Sequence, residues 1–580
     1  MTAFKERLHR DIRQLIQTAQ RLPDLGSESA SDWEKIILAM EDAQARLDHW
    51  SSYVSCLEAA HADDEIYPQE RAVINQERAA LERIDIELVR AFQTASSSSF
   101  EGFRRREPLR AIAYALEKIR TRSHYALEPG TERLASDLNL DGIQAWGRLY
   151  NRLSGKLRFE YQLPDGNTAV KPISQWRSLM AHPDRKVGRA VFEGGNRAWQ
   201  GIEDACAAAL NAIAGTRLTL DRHRGRPDYL DEALFKAGIQ KRTLDAMYDA
   251  VRACIDLPRE FLKTKAAAMG RGAIAFFERE APLANAAGEA LSWPEGIDLV
   301  ARAFTDVYPA LGAHFRHMLR SGWIESEARD NKRPGAFCTR SPRTGEQRVY
   351  MTFNGTLGDV TTLAHEVGHA WHGHLLRTLR PWAQRYPMTL AETASIFAEQ
   401  ILAEGLYNHR DVDDGDKLAM LDEDLSGMAV LLLDITTRFE FESAFYRERQ
   451  EGELGVSRLK ALMVAAQQQT YGDALAPGGE DPYFWASKLH FYISDLAFYN
   501  FPYTFGFLLA RALIARFKKE GRAFLPRYET FLAASASASV EQVVFDTLGQ
   551  DITRKVFWLD AIRSLDDDLA RFRQLLSQQT

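Results

Sequence analysis

Five consecutive residues, His365-Glu366-Val367-Gly368-His369, carry the most specific chemistry in this chain. On a helix, residues four apart share a face, so the two imidazoles can converge on one ion. Glu366, one step round, can reach a water on that ion without ligating it. This is the His-Glu-x-x-His arrangement of a zinc site, in which the carboxylate serves as general base. With 14 His in 580 residues, chance supplies the pattern only about 0.02 times. A catalytic zinc also needs a third protein ligand and an open position. The motif extended by a glycine and a third histidine is excluded, because those positions hold His372 and Leu375. A carboxylate on a later helix remains. Glu392 and Glu399 lie seven apart in TLAETASIFAEQILAEGL, hence on one face, and either can point at the ion. Thr389-x-x-Glu392 is also a capping-box pattern, so spacing leaves Glu392, Glu399 and a cap open. His372 could stand behind the ligands, although a solvated or hydrogen-bonded role suits both it and His374.

These residues need a helix, and the local sequence predicts one. Arg348–Asn354 (RVYMTFN) alternates and is rich in strand formers. Gly355 and Gly358 supply turn residues, a helical pattern begins near Asp359, and Arg380-Pro381 ends it. A second helical pattern starts at Thr389. The strand could take up a substrate backbone as an added strand. Elsewhere helical periodicity dominates, from Trp33 to Trp50, from Gln76 to Phe92, and across about 190–320. The serine run within Thr94–Phe100 reads as a loop or helix-end linker, and Arg104, Arg105 and Arg106 as a solvated face. The acidic run Asp411, Asp413, Asp414 and Asp416 fails as a calcium loop, since the required Gly and Glu positions hold Asp416 and Asp422. It reads as a polar loop whose acids favour the start of the next helix.

Composition narrows the class. The net charge of −7 supplies no positive field for nucleic acid or an anionic membrane. No window is apolar enough to span a bilayer, and the charged amino terminus is unlike a signal peptide. Cys56, Cys206, Cys254 and Cys338 have no disulfide-framework spacing. The expectation is a cytoplasmic protein without nucleic-acid or membrane partners.

The sequence resembles the thimet-oligopeptidase and oligoendopeptidase F family of zinc metallopeptidases, and is closer to the oligoendopeptidase F branch. The zinc motif carries the likeness with Glu392-Thr393-Ala394-Ser395, Pro334-Gly335-Ala336-Phe337-Cys338, and the block from His490-Phe491-Tyr492 to Phe498-Tyr499-Asn500-Phe501-Pro502-Tyr503-Thr504-Phe505-Gly506. The likeness is firmest over about 330–510 and weak before 190. It implies a mainly α, two-lobed, prolate fold with a deep central cleft and a small β-sheet next to the zinc-binding helix. The expected division is an N-terminal helical lobe over 1–190 and a catalytic domain over 191–580. The resemblance implies one zinc ion held by His365, His369 and Glu392. It also implies substrate-holding and oxyanion roles for His490, Tyr499 and Tyr503.

The expected activity is zinc-dependent hydrolysis of internal bonds in short, unstructured peptides, with Glu366 as base and later acid. A zinc carboxypeptidase or dipeptidase is the alternative; it would need a fixed cation for the substrate carboxylate, for which Arg333, Arg340 and Arg343 are candidates, although all three also read as ordinary solvated charges. A non-catalytic metal-binding helical protein is a third reading. Glu366 counts against it, because a structural site has no use for a base.

Overall fold

The amphipathic stretches around Trp33–Trp50 and Gln76–Phe92 lie inside the helices Ala30–Ala60 and Ile66–Thr94 of the computed structural model, which describes residues 2–283, 290–407 and 413–579. Their apolar stripes bury Trp33, Trp50, Ile84, Leu88 and Phe92 in one core. The serine run is shorter as a break than expected. Ser96 caps the helix Ser97–Arg104 by accepting from the Ser99 N–H at 3.1 Å, so the serines form a cap and a first turn. Arg104 pairs with Glu101 at 2.8 Å and Arg106 with Glu34, which leaves the triple arginine as a paired surface. Asp413 caps the helix Asp414–Ala429 through the Asp416 N–H at 2.7 Å; Asp411 lies outside the described residues.

The fold is mainly α. Helices fill both of the compact units into which the chain divides. The units interleave along the sequence. One comprises Met1–Pro129, Ala290–Asn408 and Arg516–Gln550, and the other Gly130–Glu289, His409–Ala515 and Asp551–Thr580. The second holds an antiparallel hairpin of β1 (Arg158–Gln162) and β2 (Thr168–Pro172). The first holds a three-stranded sheet of β3 (Ile324–Glu325), β4 (Phe337–Arg340) and β5 (Gln347–Tyr350), in the order β3-β5-β4. The strand expected at Arg348–Asn354 is therefore β5, shorter and shifted towards its start. It is also central. β4 pairs along one side, and β3 with the Met351 N–H to Glu325 carbonyl bond (2.9 Å) fills the other. β5 has no edge left to accept a substrate, whereas β4 keeps one.

The motif helix runs Leu357–Leu376. Its start is set by a reciprocal cap: Thr356 Oγ1 accepts from the Asp359 N–H at 3.0 Å, and Asp359 Oδ2 accepts from the Thr356 N–H at 3.1 Å. It stops short of Arg380-Pro381, as expected. Trp382 then inserts into the core of the N-terminal helices, where its N–H donates to Glu41 Oε1 at 3.0 Å. The next helix, Thr393–Tyr407, starts four residues later than Thr389, after a 3₁₀ turn over Met388–Leu390.

Candidate active site

The helices Leu357–Leu376 and Thr393–Tyr407 pack side by side, and a glycine permits the approach. A Cβ at Gly368 would meet the Ala394 carbonyl oxygen at 2.5 Å and Ser395 Cα at 2.6 Å. Glu392 immediately precedes the second helix, and its carbonyl accepts from the Ile396 N–H at 3.1 Å. Its carboxylate thus sits at the positive end of that helix.

From there Glu392 Oε2 lies 3.4 Å from His365 Nε2 and 3.5 Å from His369 Nε2, and the two imidazole nitrogens are 3.1 Å apart. Among the described residues these three form the group able to hold a metal ion. Tetrahedral zinc with bonds of about 2.0–2.1 Å sets its donors roughly 3.3–3.4 Å apart, so the three atoms match three corners of that figure. The electrostatics agree. Burial alone would lower the pKa of His365, but hydrogen bonds with Glu392 and Glu399 push it up to about 10. Burial likewise opposes ionisation of Glu392, yet its hydrogen bonds to His365 and His369 hold its pKa well below the usual carboxylate range. Imidazoles and carboxylates are arranged to hold positive charge at one point.

Spacing left Glu392 and Glu399 as rivals, and the structure separates them. Glu392 faces the converging Nε2 atoms. Glu399 Oε1 instead contacts His365 Nδ1 on the far side of the ring, where a carboxylate orients a ligating histidine. Ser395 Oγ donates to Glu392 Oε2 at 3.0 Å, steadying it from one turn along. Glu366 is buried with its Oε2 unpartnered, and burial pushes its pKa up. It lines a cavity of about 400 Å³ with His365, His369, Tyr386 and residues of β4 and β5. His372 is elsewhere: fully buried, it reaches Ser535 Oγ at 2.9 Å through Nε2 and stacks on Tyr386 at 4.1 Å. His374 stacks on Trp371 at 5.4 Å.

His490, Tyr499 and Tyr503 form a cluster within the second unit. The His490 ring lies 5.1 Å from Tyr499, which lies 6.0 Å from Tyr503. His490 Nδ1 is 2.7 Å from Asn500 Oδ1, which also accepts from Arg438 Nη1 at 2.9 Å. A guanidinium only donates, so the Asn500 oxygen must face it, and His490 must carry its proton on Nδ1. Burial, then the charges of Arg438 and Lys488, lower the His490 pKa to about 4, so the ring is neutral near pH 7 and its Nε2 accepts. Arg438 is in turn paired at 2.5 Å with Asp434, at the end of the π-helical turn Val430–Asp434.

Sequence reasoning missed Asn500, Arg438 and Tyr386 as members of these sites, and Gly368 as the packing position. Gly368 had a signal, because a glycine in a helix interior sacrifices about 1 kcal/mol relative to alanine and suggests a packing reason. Asn500 stood within the block from His490 to Gly506 without a role of its own, and Arg438 and Tyr386 had no signal, since each acts through a partner remote in sequence.

Residues 296–564 match the profile of Peptidase family M3 and residues 92–159 that of Oligopeptidase F. Oligopeptidase PepF of Bacillus subtilis is 22% identical over 481 residues, covering 81% of this chain and 70% of that protein. The plasmid-encoded oligoendopeptidase F of Lactococcus lactis subsp. cremoris is 24% identical over 375 residues, covering 64% and 61%. The crystal structure of oligoendopeptidase-F from Enterococcus faecium superposes with a TM-score of 0.74 at 17% identity, covering 100% of this chain and 99% of that one, and so shares the fold. With both profiles met in chain order, the chain belongs to peptidase family M3, in its oligoendopeptidase F branch, and is a metallopeptidase.

Proposed function

We propose that the chain is a zinc-dependent endopeptidase that hydrolyses internal bonds of short, unstructured peptides. The observation that carries this reading is the convergence of His365, His369 and Glu392 at a cavity that His365, His369 and Glu366 line, with Glu366 Oε2 buried and unpartnered. These residues fit zinc by number, donor type and spacing. Bound there, zinc would supply Lewis acidity that polarises the scissile carbonyl and makes water a nucleophile near neutral pH. The remaining steps belong to the chain. Glu366 takes the proton of the attacking water and delivers it to the leaving amine. Glu399 holds the His365 ring, and Ser395 holds Glu392. The free edge of β4, part of which lines the cavity, pairs with the substrate backbone, an alignment that asks little of substrate side chains. By the family likeness, Tyr503 or Tyr499 serves as a hydroxyl donor to the oxyanion. His490, neutral and protonated on Nδ1, holds the substrate by accepting an N–H at Nε2. Every proposed site residue lies in 191–580, the catalytic segment, with 1–190 as an N-terminal helical segment.

Cleavage of a quenched peptide blocked at both ends tests the reading. It is expected to stop with a chelator and return with zinc. A metal-replete enzyme that cuts only peptides with free ends would instead be a trimming enzyme.

A further inference from the structure

The cavity beside the metal ligands continues along one helix face. His365, His369 and Gly373 follow at intervals of four residues and so line up on successive turns. A Cβ at Gly373 would meet Gln347 Cγ at 3.3 Å and Arg340 Cδ at 3.7 Å, so this glycine is where two side chains of the sheet cross the helix. Arg340 and Gln347 are directly paired across β4 and β5, and both line the cavity with His365, Glu366 and His369.

Neither side chain is satisfied. Among the described residues no carboxylate pairs with Arg340. Its Nη2 donates to the Gln384 carbonyl at 2.8 Å and its guanidinium lies 5.6 Å from the Tyr386 ring centroid, while Nη1 is buried without a partner. Arg343, by contrast, faces Asp42 at 3.5 Å. Gln347 is 1% exposed; its Nε2 donates to the Gly345 carbonyl at 2.6 Å, and its Oε1 is buried and unpartnered. The amide cannot be reversed, because its oxygen would then meet a carbonyl oxygen. A half-buried cation with no carboxylate opposite it and a buried acceptor without a partner are both unfavourable, and a ligand that brings an anion next to an N–H relieves both. A peptide residue bearing a carboxylate has that pattern.

We propose that Arg340 and Gln347 form a subsite for a substrate carboxylate, an inference that rests on the peptidase reading above. Arg340 Nη1 takes the carboxylate, and Gln347 Oε1 takes an N–H beside it. The carboxylate comes from the chain terminus or from an Asp or Glu side chain. Four residues of helix rise about 6 Å. An extended peptide advances about 3.3 Å per residue, so the carboxylate lies roughly two residues from the cleaved bond.

The test compares quenched peptides without acidic side chains that end in a free carboxylate or an amide. An amidated series then carries one Glu at successive positions. Ratios of kcat/KM on a single preparation cancel the folded fraction, so a variant that folds poorly still gives an answer. Wild-type enzyme is expected to prefer a carboxylate-bearing peptide by about tenfold or more. The free-acid arm identifies a terminal source, and the Glu series a side-chain source. Arg340→Met should bring the ratio to about one, with part of the preference restored in Arg340→Lys. A wild-type ratio near one, or a ratio unchanged in Arg340→Met, overturns the subsite and leaves the peptidase reading standing. Zinc-loaded wild-type enzyme that cuts none of these peptides overturns both.

Discussion

Glu366, Glu392 and Glu399 are three carboxylates within one centre, and each has different surroundings. Glu366 has a buried Oε2 with no partner among the described residues and a raised pKa, which suits a proton carrier; Glu392 faces both Nε2 atoms; Glu399 faces His365 Nδ1. Glu366→Gln keeps the shape but removes the base. It should retain zinc by elemental analysis while turnover falls by about 10²–10⁴-fold, and near-normal turnover would refute the assignment. Glu392→Ala should abolish tight zinc binding. Glu399→Ala, which removes only a ring-orienting partner, should weaken it by about 10–100-fold. Zinc titrations of the two variants decide the order, and the reverse ranking would make Glu399 the ligand.

At the scale of elements, the centre depends on how closely two helices approach. Gly368 faces the Ala394 carbonyl across a gap that leaves no room for a methyl group. Gly368→Ala should therefore push the helix Thr393–Tyr407 away, lowering stability by about 1–3 kcal/mol and weakening zinc binding together. Gly427, exposed inside the helix Asp414–Ala429, meets nothing within 4 Å, and Gly427→Ala should stabilise by about 0.4–1 kcal/mol. Denaturant unfolding of both variants measures the contrast. Equal effects at the two positions would show that helix spacing at Gly368 is not limiting. The sheet gives a related lesson: periodicity identified a strand before the motif helix, but only pairing showed that β4, and not β5, has the free edge.

Across the whole molecule, buried acids make stability depend on pH. Glu442 is buried, and its Oε1 accepts from the Phe498 N–H at 2.8 Å, at a residue in the left-handed region with φ of 54°. Burial raises its pKa to about 7, against the opposing pull of that hydrogen bond and of Arg217. Between its ordinary value of 4.5 and about 7 the unfolded chain ionises Glu442 and the folded chain does not. The folded state binds more protons in that window, so stability falls as pH rises through it and levels off above. Glu442→Gln keeps the acceptor and removes the titration. Its unfolding midpoint relative to wild type should rise from pH 4.5 to 7 and then stay constant, and a pH-independent difference would show that Glu442 ionises normally. No helix among the described residues is long and apolar enough to cross a membrane.

What the sequence determined by itself was whatever depends on residues close along the chain. His365, Glu366 and His369 act through helical spacing, and the turn glycines and Arg380-Pro381 bracket the helix that carries them, so helix, motif and reaction class were legible. The choice between Glu392 and Glu399 was not, because helical geometry puts both on one face and only the packing across Gly368 decides which meets the imidazoles. The same holds for Asn500 with Arg438 behind His490, and for Arg340 with Gln347 in the cavity. These pairs are joined by hydrogen bonds, strand pairing and burial between positions with no fixed separation in the sequence. Local spacing fixes which groups can share a helix face; tertiary packing decides what each group faces, and hence its protonation and its task.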